Sequence, residues 1–329
     1  MVAAGAAGAA RRLLWGVQSA RHNPRMTVVR IEMTDAYKRF GSHVALNGLS
    51  LRVEAGEVFG FLGPNGAGKT TAVKVLLGLA SLSSGSARLL DRPCGDPQVR
   101  ARVGFLPEQF RFHEWMTAAE FLDFHGRLYD IPRALRRERI PIALARVGLG
   151  ARLNARLSTF SKGMLQRAGI AQALLNDPEV VFLDEPTSAL DPIGRRDVRD
   201  LVRELRNEGV TVFLNSHLLS EVEMICDLVA IVDRGQVVRQ GPLGELMGST
   251  LQVEVRAQPM TAALRQALAG FGAVVSAEAE RVVLSVASSA LVPQIARCVL
   301  DHGAQLHGLT SVAPTLEEVF VRSVQSRDT

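Results

Sequence analysis

The residues of this 329-residue chain best suited by type and spacing to chemistry are Gly63-Pro64-Asn65-Gly66-Ala67-Gly68-Lys69-Thr70, followed by Thr71. Glycines at this spacing let the backbone curl so that successive N–H groups face one anion. A lysine at the start of a helix then reaches the β- and γ-phosphates of a nucleotide, and the hydroxyl of Thr70 is placed to ligate Mg²⁺. The same string could be a Gly-rich turn carrying a surface lysine. It lies, however, between an apolar run, Val58 to Leu62, and a helical pattern starting near Lys69, which is the strand-then-helix setting a phosphate loop requires.

Two further segments supply what hydrolysis needs. Val180 to Glu185 reads as a short buried strand ending in two carboxylates. Asp184 can hold Mg²⁺ through water, and Glu185 can orient an attacking water and accept its proton, since phosphoryl transfer asks a protein mainly for position and charge. Upstream, Leu157 to Arg167 opens an Ala-rich helix on Ser161 and Gly163. A helix N-terminus with a free hydroxyl and approachable N–H groups binds phosphate oxygens, although a serine there is also an ordinary N-cap.

The order of these parts, followed by Ser188-Ala189-Leu190-Asp191 and His217, resembles the ATPases of ABC transporters. The resemblance spans about Val28 to Leu246. Phe160-Ser161-Lys162-Gly163-Met164 is similar to the signature segment of drug-resistance exporters, Asp184-Glu185 to the Walker B pair, Ser188 to Asp191 to the D-loop, and His217 to the switch histidine that senses the γ-phosphate. Phe40, before Gly41, matches the aromatic residue that stacks on adenine. Two positions depart from the usual pattern. Glu108 stands where a metal-side glutamine is common, with Gln109 one residue late, and Lys162 replaces the first signature glycine.

The resemblance implies an α/β fold: a P-loop NTPase cassette with a RecA-like core, an antiparallel β subdomain and an α-helical subdomain over about 107–159, the whole spanning 27–247. It implies ATP and Mg²⁺, with Thr70, Asp184 and Glu108 on the metal side. It also implies a head-to-tail dimer, of two copies or with a related ATPase, in which each ATP is sandwiched between one phosphate loop and the Ser161, Gly163 and Asp191 region of the other chain.

Beyond Leu246 the pattern changes. Leu251 to Val255 alternates as a strand, Thr261 to Leu268 and Leu291 to Leu300 read as helices, and Ala273 to Ser276 with Arg281 to Val286 read as a hairpin. Thr315 to Glu318 is a capping box opening a last amphipathic helix. Residues 251–329 thus form a small α+β domain, similar to the accessory domain of bacterial exporter ATPases. It carries no catalytic constellation and reads as dimerising or regulatory.

Five arginines and no acids fall in residues 1–30 and account for the whole formal charge of +5. The rest of the chain is balanced, so no basic face and no nucleic-acid partner is expected. Residues 1–26, rich in Ala and Arg, have transit-peptide composition but read better as a disordered or mis-assigned extension. Cys94, Cys226 and Cys298 are odd in number and widely spaced, which fits a reducing compartment. No run approaches the ~20 apolar residues needed to cross a bilayer. A transporter role therefore requires an integral-membrane permease as a separate chain, with this one on the cytoplasmic face of the membrane.

Phe110, Phe112, Trp115 and Met116 form an aromatic-rich segment just after Glu108, readable either as core or as a docking surface for the permease. The function expected is that of the energy-coupling ATPase of an exporter. The alternatives are a soluble ABC-type ATPase acting on ribosomes or DNA, and a simple P-loop kinase or GTPase, which would leave Ser161, Gly163 and His217 unexplained.

Overall fold

The structure, a computed structural model, describes residues 28–247, 251–312 and 315–325, so the reading of residues 1–26 lies outside the described residues. The chain divides into two compact units, with the boundary between Gln240 and Gly241.

The first unit begins with β1 (Val29–Phe40), β2 (His43–Glu54), β3 (Val58–Leu62) and α1 (Lys69–Leu76), then β4 (Ser84–Leu89), β5 (Arg92–Pro93), α2 (Pro97–Arg100) and β6 (Val103–Leu106). Three helices follow, α3 (Ala118–Leu128), α4 (Arg133–Arg146) and α5 (Lys162–Leu174). It closes with β7 (Val180–Asp184), α6 (Pro192–Asn207), β8 (Thr211–Asn215), α7 (Leu219–Ile225), β9 (Leu228–Asp233) and β10 (Gln236–Pro242).

Two sheets share this unit. One is antiparallel, in the order β2-β1-β4-β5; the other has six strands in the order β10-β9-β3-β8-β7-β6, with parallel pairing from β9 through β6. Every residue of β3, β7 and β8 is buried, as expected of continuous Val, Leu and Phe runs covered on both faces. Phe59, Phe213 and Phe182 lie in register across these strands, with ring centroids 5.3 and 5.1 Å apart, and stiffen the sheet beneath its carboxyl edge.

α6 starts on Asp191, whose Oδ1 accepts the Gly194 N–H at 2.7 Å, with Pro192 in the first turn; it buries Val198, Leu201, Val202 and Leu205 at helical spacing. Two contacts fasten α6 to α7. Arg199 Nη1 donates to both carboxylate oxygens of Glu221 at 2.9 Å each, the Glu221 side chain being only 7% exposed, and Arg203 Nη2 donates to the Met224 carbonyl at 3.2 Å.

The second unit starts at Gly241 and so takes in α8 (Leu243–Met247), which the sequence reading assigned to the cassette. That helix packs against α11 (Leu316–Gln325), which explains the earlier boundary. Between them run β11 (Leu251–Gln258), α9 (Ala262–Ala269), β12 (Gly272–Ala277), β13 (Arg281–Val286), α10 (Val292–Asp301) and β14 (Gln305–Val312). The β-α-β-β-α-β succession with strand order β12-β13-β11-β14 is ferredoxin-like. Leu264 and Leu268 of α9 and Ile295 and Val299 of α10 close its core on Val253, Val255, Val282 and Leu284.

Candidate active site

Parallel pairing brings three strand ends together: Phe61 of β3 stands opposite Asn215 of β8, and Asn215 opposite Asp184 of β7. A crevice at the carboxyl ends of parallel strands is where such folds bind ligands. Here it is a cleft of about 500 Å³ whose lining includes Asn65, Gly66, Gly68, Lys69, Thr70, Thr71, Glu108, Glu185 and His217.

The loop between β3 and α1 is shaped by what it cannot carry. Gly68 sits at φ 100°, and a Cβ there would lie 2.4 Å from the Ala45 carbonyl oxygen; at Gly63 it would lie 2.3 Å from that of Val232. Gly68 gives α1 no side-chain cap, which leaves the first-turn N–H groups to an anion. Lys69 Nζ turns back along the loop and donates to the carbonyls of Gly63 at 2.6 Å and Pro64 at 3.1 Å. Burial pushes its ammonium down from the ordinary lysine value, against the pull of Glu185, Asp184 and Glu108. Ala67, within the loop, is buried.

Across the cleft, Asp184 is buried and accepts a 2.6 Å hydrogen bond from Asn215 Nδ2. Burial raises its carboxyl above the usual range against that hydrogen bond; the nearby Glu108 and Glu185 add to the rise, and Lys69 opposes it. Such a crowd of carboxylates around one ammonium fits a divalent cation. No three His, Cys, Asp or Glu side chains form a metal cage among the described residues.

Glu185 adopts φ 52°, in the left-handed region. Its N–H donates to the Asn215 carbonyl at 2.9 Å, its Oε1 accepts the His217 N–H at 2.9 Å, and its Oε2 stands 2.7 Å from His217 Nδ1. The carboxylate and the imidazole therefore meet just past the ends of β7 and β8.

Other expected site residues lie elsewhere. Ser161 caps α5 by accepting the Met164 N–H at 3.2 Å, and with Gly163 and Asp191 it stays outside the lining of the cleft. Phe40 also stays outside; its ring is half exposed under Lys38 Nζ, 4.8 Å from the centroid, while His43 and Ala45, just past the Gly41 turn, do line the cleft. His43 and Asn215 were not singled out from the sequence. A polar residue directly before the Ser216-His217 pair was the only signal for Asn215.

The aromatic segment divides. Met116 is buried and Phe112 packs on Phe110 and Phe121, whereas Trp115 is 68% exposed. Trp115 and Met116 line a second hollow of about 510 Å³, along with Phe124 of α3 and Ile140 and Pro141 of α4. No helix among the described residues is long and apolar enough to cross a membrane.

The loop, the paired carboxylates and the histidine on one parallel-sheet edge define a P-loop nucleotide-binding ATPase cassette. The ABC transporter family model matches residues 46–188. An uncharacterised ABC transporter ATP-binding protein of Synechocystis is 43% identical over 285 residues, covering 86% of this chain and 79% of the relative. The Nod factor export ATP-binding protein I of Cupriavidus metallidurans is 36% identical over 70% of this chain and 76% of its own. A solved ATP-binding subunit of an ABC transporter superposes with a TM-score of 0.61 at 28% identity, over 66% of this chain and 91% of that one. A dimeric cassette in a post-hydrolysis state with ADP and Pi gives 0.59 at 25% identity, over 65% and 99%. The chain belongs to the ABC transporter ATP-binding family.

Proposed function

We propose that this chain is the energy-coupling ATPase of an ABC exporter whose permease is a separate polypeptide, acting at the cytoplasmic face of the membrane. The observation that carries the reading is the meeting of Glu185 and His217 across one cleft from the phosphate loop and Lys69. The exporter lean is supported by the Phe160 to Met164 segment and by a relative named for Nod factor export.

In this reading the N–H groups of Gly66 to Thr71 and the Lys69 ammonium hold the phosphates, and Phe40 stacks on adenine. Glu185 takes the proton of the attacking water, and His217 orients that carboxylate and the γ-phosphate. Thr70, Asp184 and Glu108 would hold Mg²⁺, which would neutralise charge on the phosphates. Ser161, Gly163 and Asp191, outside the cleft of their own chain, serve the ATP of a second subunit in a head-to-tail dimer. Hydrolysis removes the anion that bridges the two and lets the dimer open. The hollow beneath Trp115 receives a cytoplasmic segment of the permease, an exposed aromatic being a suitable anchor.

The test is to purify the Glu185→Gln variant from host membranes in the presence of ATP and identify the attached proteins by mass spectrometry. A polytopic membrane protein is expected. Ribosomal proteins or DNA in its place would refute the exporter reading in favour of a soluble ATPase.

A further inference from the structure

The carbonyl of Glu185 is held by two different elements. Ser188, in the turn after β7, donates to it from its hydroxyl at 3.0 Å and from its N–H at 3.4 Å. Gln166 Nε2 donates to it at 3.1 Å from the second turn of α5, the helix that opens on Ser161. With the Glu185 N–H bound to Asn215, both polar backbone atoms of this residue are tied down.

That matters because Glu185 is not a glycine and yet sits at φ 52°. A side-chain-bearing residue stays in the left-handed region only where its surroundings over-determine it. The peptide plane after Glu185 sets where its Cα–Cβ bond points, and so where the carboxylate enters the cleft. α5 is a firm support for this purpose, because it is inlaid against β6. A Cβ at Gly104 would lie 2.0 Å from the Ala173 carbonyl oxygen, and one at Gly169 would lie 2.7 Å from Leu106 Cδ1. Gln166 itself does not line the cleft.

We infer that Gln166 is a positioning residue for hydrolysis: it fixes the backbone of Glu185 and so aims the carboxylate, and it links the Ser161 helix to the base of its own subunit. The inference rests on the reading of Glu185 as the base. Gln166→Met keeps the length and removes the N–H donor. It should lower kcat about tenfold, near the upper end for one hydrogen bond, while the KM for ATP stays within about twofold.

A double-mutant cycle then asks whether the effect runs through Glu185. In a Glu185→Gln background, single-turnover hydrolysis should be the same with and without Gln166→Met, within about twofold. Gln166→Glu, which sets an acceptor against the carbonyl, should repeat the kcat loss and covers the case in which the methionine variant does not fold. Wild-type kcat in both Gln166 variants overturns the proposal, and so does a loss carried by KM alone. A full tenfold loss persisting in the Glu185→Gln background also overturns it, leaving the base reading intact. Wild-type turnover by Glu185→Gln alone would overturn the base reading itself, a result separable from the others.

Discussion

Replacing Glu185 by glutamine isolates one proton acceptor with little disturbance of the fold. The amide keeps an oxygen for the His217 N–H, now accepted by Oε1 at 2.9 Å, and places an NH₂ group beside His217 Nδ1, now 2.7 Å from Oε2. The left-handed backbone is held by Asn215, Gln166 and Ser188 through atoms the substitution does not touch. What disappears is the ability to take a proton from water. General-base catalysis contributes about 10²- to 10⁴-fold, or roughly 2.7 to 5.5 kcal/mol of barrier at about 1.36 kcal/mol per decade. ATP binding should not suffer, because the cleft loses a negative charge next to Asp184 and Glu108 while keeping Lys69. Phosphate release at saturating ATP should therefore fall by at least about a hundredfold, while titration with a fluorescent ATP analogue gives an affinity equal to or tighter than wild type. Turnover within about tenfold of wild type would refute the assignment of the base. Weakened nucleotide binding would refute the claim that the cleft survives the change.

Lys69→Ala removes an ammonium that braces the loop through Gly63 and Pro64; with charge-assisted hydrogen bonds worth about 1.5 to 3 kcal/mol, calorimetry should find ATP binding weakened at least about tenfold, and wild-type affinity would contradict its role. Gly104→Ala forces a methyl group onto the Ala173 carbonyl and should cost about 1 to 3 kcal/mol in urea unfolding, a neutral result showing that α5 can retreat from β6. Burial pushes the Glu179 carboxyl up, but the Arg102 hydrogen bond and the charges of Arg30 and Arg102 hold it below its ordinary 4.5 overall. A depressed carboxylate stabilises the fold above its unfolded value and loses that contribution as pH falls through the folded one. Glu179→Gln should therefore unfold at lower urea than wild type near neutral pH, with the gap closing as the pH drops below 4.5; parallel curves would remove this pair from the acid response.

Much of the cassette is legible because its signals are local. The runs Val58 to Leu62 and Val180 to Asp184 are apolar enough to be buried strands, the first leading straight into the phosphate loop at Gly63 and the second ending on Asp184. What stays illegible is relational. The bonds from Asn215 to Asp184 and from Gln166 to the Glu185 carbonyl join segments far apart in the chain through residues with no special spacing, and a left-handed glutamate leaves no mark in composition. Trp115 and Met116 point to opposite environments because they sit in a turn, where no periodicity separates core from surface. In the second unit, alternation and turns mark β11, β12, β13 and the helices α9, α10 and α11, but neither β14 nor the joining of α8, which depends on a contact with the distant α11.

The Arg199–Glu221 bridge and the Arg203 bond to the Met224 carbonyl fasten α6 and α7 at two points, so the helices cannot pivot freely about either. One helix begins at Asp191 and the other just beyond His217. Such a joint ties the helix that Asp191 opens to the helix that follows His217, so the two shift as one body rather than separately. The loop that opens on Asp191 and the histidine at the cleft are thus mounted on one rigid pair of helices, joined through the buried carboxylate of Glu221.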